Sequence, residues 1–452
     1  MKLILMTLSL GLAAGCAGNE PRGELKSKTS LKVLFSDEDY FFRQYGDLFV
    51  MKNGNVDIEV VSTQDLRNNL GDKTYDDALD ELVERERPDI LMVSTDIFER
   101  YAGAGKLAEL DPLLEKDHYS LEAMLPGLVD TMRKIGGGKL YGLPPSFYGS
   151  AVYYNKDLFT KYGIEPPQDG MTWEEIMELA RHFPAEGDEL NRVYGYGANY
   201  SLTFENLLSL FSHAEGLTYV NPETMKMTID TVSWRKVYET ALSAYHSNAI
   251  YGPSDEAGAS LITTEESMLR EPFIMGRAAL TVNGSHILQK LKQAEEMIKD
   301  YEAFEVGLVS GPVDPADRET TREISFGDIT AINANSTNPE AAWEFFRFLH
   351  GGELAAIKSK TPYSLMSRSD YKMEYNGVAL DAFYTLKPTI NSNNADLKGI
   401  PSSFFSEFQI IRNRETQLFL SGEKSLEEAL NTMQAEGQAA LDLSLENTLQ
   451  NM

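Results

Sequence analysis

The sequence has few of the residues that build reactive centres. It contains 1 cysteine and 6 histidines among 452 residues. A single cysteine cannot form a disulfide within the chain. The histidines are scattered, with no pair two or four positions apart, and this spacing argues against a dedicated zinc site. We therefore expect neither a bound metal nor a cofactor.

The motifs of common enzyme classes are also missing. The sequence has no Gly-x-Ser-x-Gly, no His-Glu-x-x-His and no Walker loop. The run Gly136-Gly137-Gly138-Lys139 lacks the Gly-Lys-Ser/Thr ending of a phosphate loop, so it predicts a turn. A glycosidase needs two carboxylates across the scissile bond. The 69 acidic residues leave such a pair open, but no pattern singles one out. We do not expect an enzyme.

Basic residues are scarce relative to acidic ones. The chain has 41 Lys and Arg against 69 Asp and Glu, a formal net charge of −28. This charge repels phosphates and argues against nucleic acid or an anionic membrane surface as a partner. The composition is 42% hydrophobic, which is enough for sizeable cores, and the length favours two or three folding units.

Long apolar runs are absent from the N-terminus, where only Leu3 to Ala14 is continuously rich in apolar residues. This run is too short for a membrane span and is typical of a secretion signal. The sequence LAAGC, which ends at Cys16, resembles the lipobox of bacterial lipoproteins. We therefore predict a signal peptide over residues 1–15, lipidation of Cys16 and a flexible tether over residues 16–30. The alternative is an ordinary signal peptide with a chance cysteine.

Strand and helix patterns alternate after the tether. They predict strands at Leu31–Phe35, Val56–Val61 and Asp89–Val93, and helices at Tyr40–Val50, Tyr75–Arg87 and Ile97–Ala104. This alternation favours a parallel sheet. Ligands of such sheets bind beyond the carboxyl ends of the strands, so Asp96 is a candidate ligand contact. Its alternative role is the N-cap of the helix that follows.

The most informative stretch is GKLYGLPPSFYGSAVYYNKDLFTKYGIEPPQDGMTWEEIMELARHF, residues 138–183. Its glycines favour a tight turn, and Pro144-Pro145 favours extended backbone. The β-branched and aromatic residues Ala151–Tyr154 predict a buried strand. Thr172 and Glu175 have the spacing of a capping box, which begins a helix.

The order of these pieces resembles the extracellular solute-binding proteins of bacterial ABC importers, in the sugar-binding group that includes maltose-binding protein. FIMGRAALTVNGSHIL and GDITAINANSTNPEAAWEFFRFL resemble two further segments of that family. The resemblance implies an α/β, two-lobe periplasmic-binding-protein-like fold of type II. Mixed sheets with helices on both faces would enclose a ligand cleft between the lobes. Lobe 1 would comprise residues 31–147 with 328–398, and lobe 2 residues 148–327 with 399–452.

The resemblance also implies which residues face the cleft. Tyr148 is the leading candidate because its ring can stack on a sugar face. Phe147 has a core position as its alternative, and His286 a structural position at the start of a helix. The candidate ligand-binding residues are Asp37, Glu38, Asp96, Phe147, Tyr148, Tyr200, Phe204, Asn283, Ser285, His286, Asp328, Phe404 and Glu407.

The function implied by the resemblance is capture of a solute. We expect a monomeric lipoprotein, anchored to the outer face of the bacterial cell membrane through Cys16. It would bind a mono- or oligosaccharide and deliver it to the transmembrane subunits of an ABC permease. Two alternatives stay open. The ligand could be a polyamine or peptide held by acids such as Asp37 and Glu407, or the scaffold could serve a secreted sensor or enzyme.

Overall fold

The computed structural model describes residues 29–184, 192–253, 263–362, 365–371, 374–389 and 399–450. The predicted signal peptide, Cys16 and most of the predicted tether lie outside these ranges. The predicted tether, residues 16–30, ends two residues too late, because the first strand already begins at Thr29. Within the described ranges, every helix is too short or too polar to cross a bilayer.

The structure alternates strands and helices along most of its length. The strands are β1 Thr29–Phe35, β2 Val56–Ser62, β3 Ile90–Val93, β4 Gly142–Leu143, β5 Ser146–Asn155, β6 Tyr194–Gly197, β7 Val220–Asn221, β8 Lys226–Met227, β9 Ile250–Tyr251, β10 Ala278–Gly284, β11 Val306–Val309, β12 Thr320–Thr321, β13 Ile324–Phe326, β14 Ile329–Ile332, β15 Leu365–Met366, β16 Glu374–Tyr375, β17 Val378–Ala379 and β18 Lys387–Pro388. The α-helices are α1 Glu38–Phe41, α2 Asp47–Lys52, α3 Tyr75–Glu86, α4 Thr95–Gly103, α5 Asp111–Lys116, α6 Leu128–Ile135, α7 Lys156–Tyr162, α8 Trp173–Ala180, α9 Phe204–Ala214, α10 Val232–Tyr245, α11 Thr264–Leu269, α12 Ile287–Met297, α13 Pro339–Leu349, α14 Gly352–Lys358, α15 Ser402–Leu420 and α16 Leu426–Gln450. A π-helical turn, Phe42–Gly46, joins α1 to α2, and 3-10 turns cover Arg67–Asn69 and Asp381–Tyr384.

The first sheet has the strand order β2-β1-β3-β14-β4. β1 runs parallel to both β2 and β3, whereas β14 runs antiparallel to β3 and β4. All four residues of β3 are buried, as expected for an uninterrupted apolar strand that is covered on both faces. The parallel pairing places the carboxyl ends of β1 and β3 at the same sheet edge. The predicted βαβ arrangement is confirmed here.

The second sheet follows the order β11-β5-β10-β6-β9 and has β13 and β15 attached to β5. The long strand β5 connects its parts. Phe147, near the start of β5, pairs with β13 and β15, and Val152, farther along, pairs with β10 and β11. The sequence predicted only Ala151–Tyr154 as a strand, because the preceding Tyr148-Gly149-Ser150 does not form an apolar run. The start of β5 directly follows β4 of the first sheet. Together with β13 and β15, it forms the strands at the connection between the two sheets, called the crossing strands below.

A second hydrophobic core lies between the second sheet and the helices that pack on it. It contains the buried side chains of Trp234, Tyr238 and Phe204, and α16 packs against both α15 and α10. Trp343, on the buried face of α13, belongs to the other core. Together the sheets and cores form the mixed α/β, two-lobe architecture expected from the sequence.

Helix ends show where local sequence signals are reliable. The capping box of α8 is present: Thr172 Oγ1 accepts from the Glu175 backbone N–H, and Glu175 accepts from the Thr172 N–H at 2.9 Å. The helix α11 ends at Leu269, shortly before Pro272, a residue that cannot continue a helix. The N-cap role of Asp96 is wrong, because Ser94 occupies that position.

Candidate functional site

A cavity of about 420 Å³ lies beside the crossing strands, against the second sheet. The volume is within the range of small-molecule sites, roughly 300–1,000 Å³. The residues that line it come from β5, α8, α9, β10, β13 and the segments next to them. They are Tyr148, Gly149, Ser150, Trp173, Tyr200, Leu210, Val282, Asn283, Gly284, Ser285, His286, Glu323 and Ser325.

Two tyrosines and Trp173 form the aromatic part of this cavity. Tyr148 is 52% exposed although its neighbour Phe147 is fully buried, because successive side chains of a strand point to opposite faces. Tyr200 is 37% exposed. Burial raises the pKa of the Tyr200 hydroxyl, and the nearby Glu323 carboxylate raises it further. The Tyr200 phenol therefore stays protonated and can donate a hydrogen bond.

The turn from β10 into α12 supplies three of the polar groups. The Ser285 hydroxyl donates to the Pro362 carbonyl at 2.6 Å, so it offers a ligand its remaining lone pairs. Asn283 is half-buried, and its side chain lies beside Thr281. His286 is exposed and immediately precedes α12. Partial desolvation of the ring and the nearby Lys290 nevertheless lower the pKa of His286, although Glu271 acts in the opposite direction, and the net shift favours the neutral imidazole.

Glu323 and Trp173 line the cavity but were not among the predicted site residues. Burial raises the pKa of the Glu323 carboxyl, while His213 and the Ser150 side chain act in the opposite direction. Glu323 directly precedes β13, and no motif of the sequence includes it. Trp173 belongs to the TWEE motif, which was interpreted only as the start of a helix. No local pattern connected either residue to a ligand.

Asp328 lies on the first-sheet side of the same crossing, directly before β14. Its charge acts on the hydroxyls of Tyr40 and Tyr45, and both of these also interact with Tyr148. Burial raises the pKa of Asp328 to about 6. The strand β13 thus has one partly desolvated carboxyl group on each side, Glu323 before it and Asp328 after it.

None of the five predicted acidic residues lines the 420 Å³ cavity; besides Asp328, these are Asp37, Glu38, Asp96 and Glu407. Asp37 and Glu38 follow β1 and Asp96 follows β3, so these three lie at the carboxyl edge of the first sheet. Asp37 caps α1 by accepting from the Tyr40 backbone N–H at 2.6 Å. Glu407 is exposed on α15. A ligand-binding role for these residues remains a prediction.

Three predicted aromatic contacts are corrected. Phe147, Phe204 and Phe404 are fully buried and have no surface to offer a ligand. Each ring packs in a core instead: Phe147 lies 5.3 Å from Tyr384 between ring centroids, and Phe404 stacks on Phe408 at 5.5 Å. Aromatic sequence patterns alone did not distinguish these core rings from Tyr148 and Tyr200.

Comparison with known proteins supports the same architecture. The sequence profile of the bacterial extracellular solute-binding protein family matches residues 27–351. A sugar transporter from Rhizobium etli, solved in an open conformation, superposes with a TM-score of 0.62 at 22% identity, covering 91% of this chain and 99% of that one. The mannitol-binding protein of Pseudomonas aeruginosa is 26% identical over 341 residues, which are 70% of this chain and 72% of that protein.

A binding protein of Brucella abortus is 24% identical over 257 residues, 56% of this chain and 57% of its own length. The match to this relative thus spans little more than half of its length. The structural similarity, at 22% identity, establishes the fold alone. The profile, in contrast, covers most of the chain and includes the crossing strands and the β10–α12 turn that build the cavity. The chain belongs to the bacterial extracellular solute-binding protein family.

Proposed function

We propose that the protein captures a carbohydrate, either a sugar or a polyol, at the cavity beside the crossing strands. It then presents this carbohydrate to the permease of an ABC importer. The observation that carries the proposal is the combination of groups in one cavity. The rings of Tyr148 and Tyr200 accompany the hydroxyl and amide groups of Ser150, Asn283 and Ser325. Aromatic faces with convergent neutral polar groups suit the apolar faces and hydroxyls of a sugar.

Charge supports the same class of ligand. The described residues that line the cavity include no lysine and no arginine, so a phosphorylated ligand would find no cationic partner there. Glu323 is the one carboxylate in that set, and carboxylates accept hydrogen bonds from hydroxyl groups. A polyamine is the second candidate, because Glu323 and Asp328 could each pair with an ammonium group.

Ligand-induced stabilisation tests the proposal directly. The chain carrying Cys16→Ser, which cannot be lipidated, is heated with D-mannitol, D-glucose, maltose, maltotriose, spermidine or sn-glycerol-3-phosphate. A ligand present at a hundredfold excess over its Kd stabilises the folded state by about 2.7 kcal/mol. We expect a rise of the melting temperature with at least one carbohydrate and no turnover of it. Stabilisation by spermidine alone would replace the carbohydrate by a polyamine, and no stabilisation by a carbohydrate would refute the proposal.

Replacing Tyr148 by alanine is expected to weaken carbohydrate binding about thirtyfold, the effect typical of an aromatic residue that dominates a binding site. The ring is half-exposed at the cavity and carries little of the core, so the melting temperature of the empty protein should change little. Calorimetric titration measures the affinity. Tyr245→Ala is the matched control, since Tyr245 is 46% exposed but does not line the cavity. Equal affinities for both variants would place the ligand elsewhere.

The membrane anchor is a separate part of the proposal. We propose that Cys16 carries lipid after removal of residues 1–15, as the LAAGC sequence indicates. Expression of the full chain in a bacterial host and separation of membranes tests this. Wild-type protein should sediment with the membranes and incorporate labelled palmitate, whereas Cys16→Ser should do neither. Release of the wild-type protein into the soluble fraction would contradict lipid anchoring without affecting the ligand proposal.

A further inference from the structure

The sequence contains three tryptophans, and all of them are buried. Two have a hydrogen-bond acceptor for the indole N–H. Nε1 of Trp234 donates to the Thr218 carbonyl at 3.2 Å, and Nε1 of Trp343 donates to the Asp117 carboxylate at 2.6 Å. The third, Trp173, is 4% exposed, and its Nε1 is buried without an acceptor among the described residues. A buried donor left unpaired destabilises the folded state.

The surroundings of Trp173 hold its indole firmly. Trp173 is the first residue of α8, directly after the capping box formed by Thr172. Its ring packs against Tyr196 at 5.9 Å and against Phe211 at 5.4 Å between centroids. These apolar contacts cover the ring, and the same residue also lines the ligand cavity. Trp173 thus combines a place in the cavity wall with a buried indole N–H that has no acceptor among the described residues.

We propose that Trp173 is a ligand-binding residue whose Nε1–H donates a hydrogen bond to an uncharged oxygen of the bound carbohydrate. This inference rests on the proposed function and deepens it. The acceptor is a hydroxyl or ring oxygen rather than a phosphate or carboxylate. An anionic group would lie in the same cavity as Glu323, with no lysine or arginine among the described lining residues to balance it.

The inference gives Trp173 a role that its sequence motif does not suggest. Leu210 and Val282, both apolar, line the same cavity as Trp173. A ligand that presents only an apolar surface here leaves the donor unpaired. A ligand with a correctly placed oxygen satisfies it. Trp173 thereby favours hydroxylated ligands over apolar ones of the same shape.

Indole NMR signals provide the direct test. The Cys16→Ser chain is labelled with 15N at tryptophan, and its three Nε1–H signals are assigned with Trp173→Phe, Trp234→Phe and Trp343→Phe. The probe is whichever of D-mannitol, D-glucose, maltose and maltotriose binds most tightly in calorimetry. At saturation, the Trp173 signal should move downfield, and it should move farther than the signals of the other two tryptophans. An unmoved Trp173 signal overturns the inference.

Affinity gives the second readout. Trp173→Phe keeps an aromatic ring but removes the donor, and we expect it to weaken carbohydrate binding about tenfold, the upper range for one hydrogen bond. Trp234→Phe is the matched control, because its lost donor pairs with Thr218 and not with the cavity; its affinity should equal that of the wild type. Wild-type affinity in folded Trp173→Phe also overturns the inference.

The outcomes separate this inference from the proposed function. If the wild-type protein binds none of the four carbohydrates, the proposed function fails, and the inference fails with it. If a carbohydrate binds but the Trp173 signal and the affinity of Trp173→Phe stay unchanged, only the inference fails. If binding of sn-glycerol-3-phosphate depends on its phosphate group and moves the Trp173 signal, the proposed uncharged acceptor is refuted.

Discussion

Replacing Asp89 by alanine is expected to lower the free energy of unfolding by about 4 kcal/mol, because several donors lose one shared, charged acceptor that is buried. Asp89 is 1% exposed and directly precedes β3. Its Oδ2 accepts from the Lys32 backbone N–H at 3.0 Å. Its Oδ1 accepts from the Ser336 hydroxyl at 2.6 Å and from the backbone N–H groups of Thr337 and Asn338 at 3.1 and 3.2 Å.

These contacts explain why the loss should be large. Lys32 belongs to β1, and residues 336–338 form the turn between β14 and α13. One carboxylate therefore links three segments that are far apart along the chain: β1, the start of β3 and the turn before α13. Alanine leaves no atom that can accept, so the partly buried donors lose their hydrogen bonds to a charged group.

Urea denaturation measures the change, with two comparison variants. Asp89→Asn keeps the shape and one acceptor oxygen, so its loss should be about half as large. Asp65→Ala removes a carboxylate that is exposed, and its stability should stay within about 0.5 kcal/mol of the wild type. A loss below about 1 kcal/mol for Asp89→Ala would contradict the shared-acceptor role. Asp89 lies at the opposite end of β3 from Asp96, so folded Asp89→Ala should retain its ligand affinity.

The role of Asp89 also shows a limit of sequence-based prediction. The apolar run after it predicted a strand, and that strand is present. Its partners at Ser336 and Asn338 lie about 250 positions away, however, and the chain around Asp89 contains no signal for them. Periodicity and capping patterns depend on neighbouring residues and were reliable for elements such as β3 and α8. Hydrogen bonds between distant segments depend on how the sheets are assembled.

The same distinction applies to the candidate site. Tyr148, Asn283 and Ser285 were predicted because each lies in a local motif that the family places at its cleft, and all three line the cavity. Glu323 reaches the cavity only because β13 pairs with β5, where Ile324 lies opposite Gly149. No local sequence signal reveals that strand pairing.

Three phenylalanines show the opposite error: they were predicted to contact the ligand but lie in the hydrophobic cores. The resemblance placed Phe147, Phe204 and Phe404 at the cleft, with a core position as the alternative for Phe147. Hydrophobic cores, however, also select aromatic residues. Only the alternation along β5 separates Phe147, which points into the core, from Tyr148, which points into the cavity. The sequence would have distinguished the two had β5 been predicted at its full length.

The second large effect is expected at Asp328, where replacement by asparagine should stabilise the empty protein above pH 6. Burial raises the pKa of this carboxyl from 3.8 to about 6. The folded state therefore holds the proton more tightly than the unfolded state does. The free energy of unfolding falls as the pH rises from about 4 through about 6, and above that range the difference amounts to about 3 kcal/mol. Asparagine is uncharged at every pH and avoids this loss.

Urea denaturation of wild type and Asp328→Asn at several pH values tests the prediction. The variant should be more stable by up to about 3 kcal/mol at pH 8, and the difference should vanish near pH 4. Asp72→Asn removes the charge of an exposed aspartate and is the matched control; its stability difference should remain small at both pH values. A stability difference for Asp328→Asn that does not depend on pH would contradict a carboxyl desolvated by the fold.

Ligand affinity should change in the opposite direction to stability. Asp328 lies close to Tyr40 and Tyr45, which both interact with Tyr148, and none of these neighbours is a cation that could pair with an ionised carboxylate. A sugar hydroxyl that donates to Asp328 would supply a partner, and hydrogen bonds to charged groups contribute about 1.5–3 kcal/mol. Asp328→Asn should therefore bind carbohydrate at least tenfold more weakly at pH 8 while it unfolds less readily. Gain of stability together with loss of affinity would identify Asp328 as a residue retained for the ligand rather than for the fold. Gain of stability with unchanged affinity would remove Asp328 from the site and restrict ligand recognition to the cavity that contains Tyr148 and Glu323.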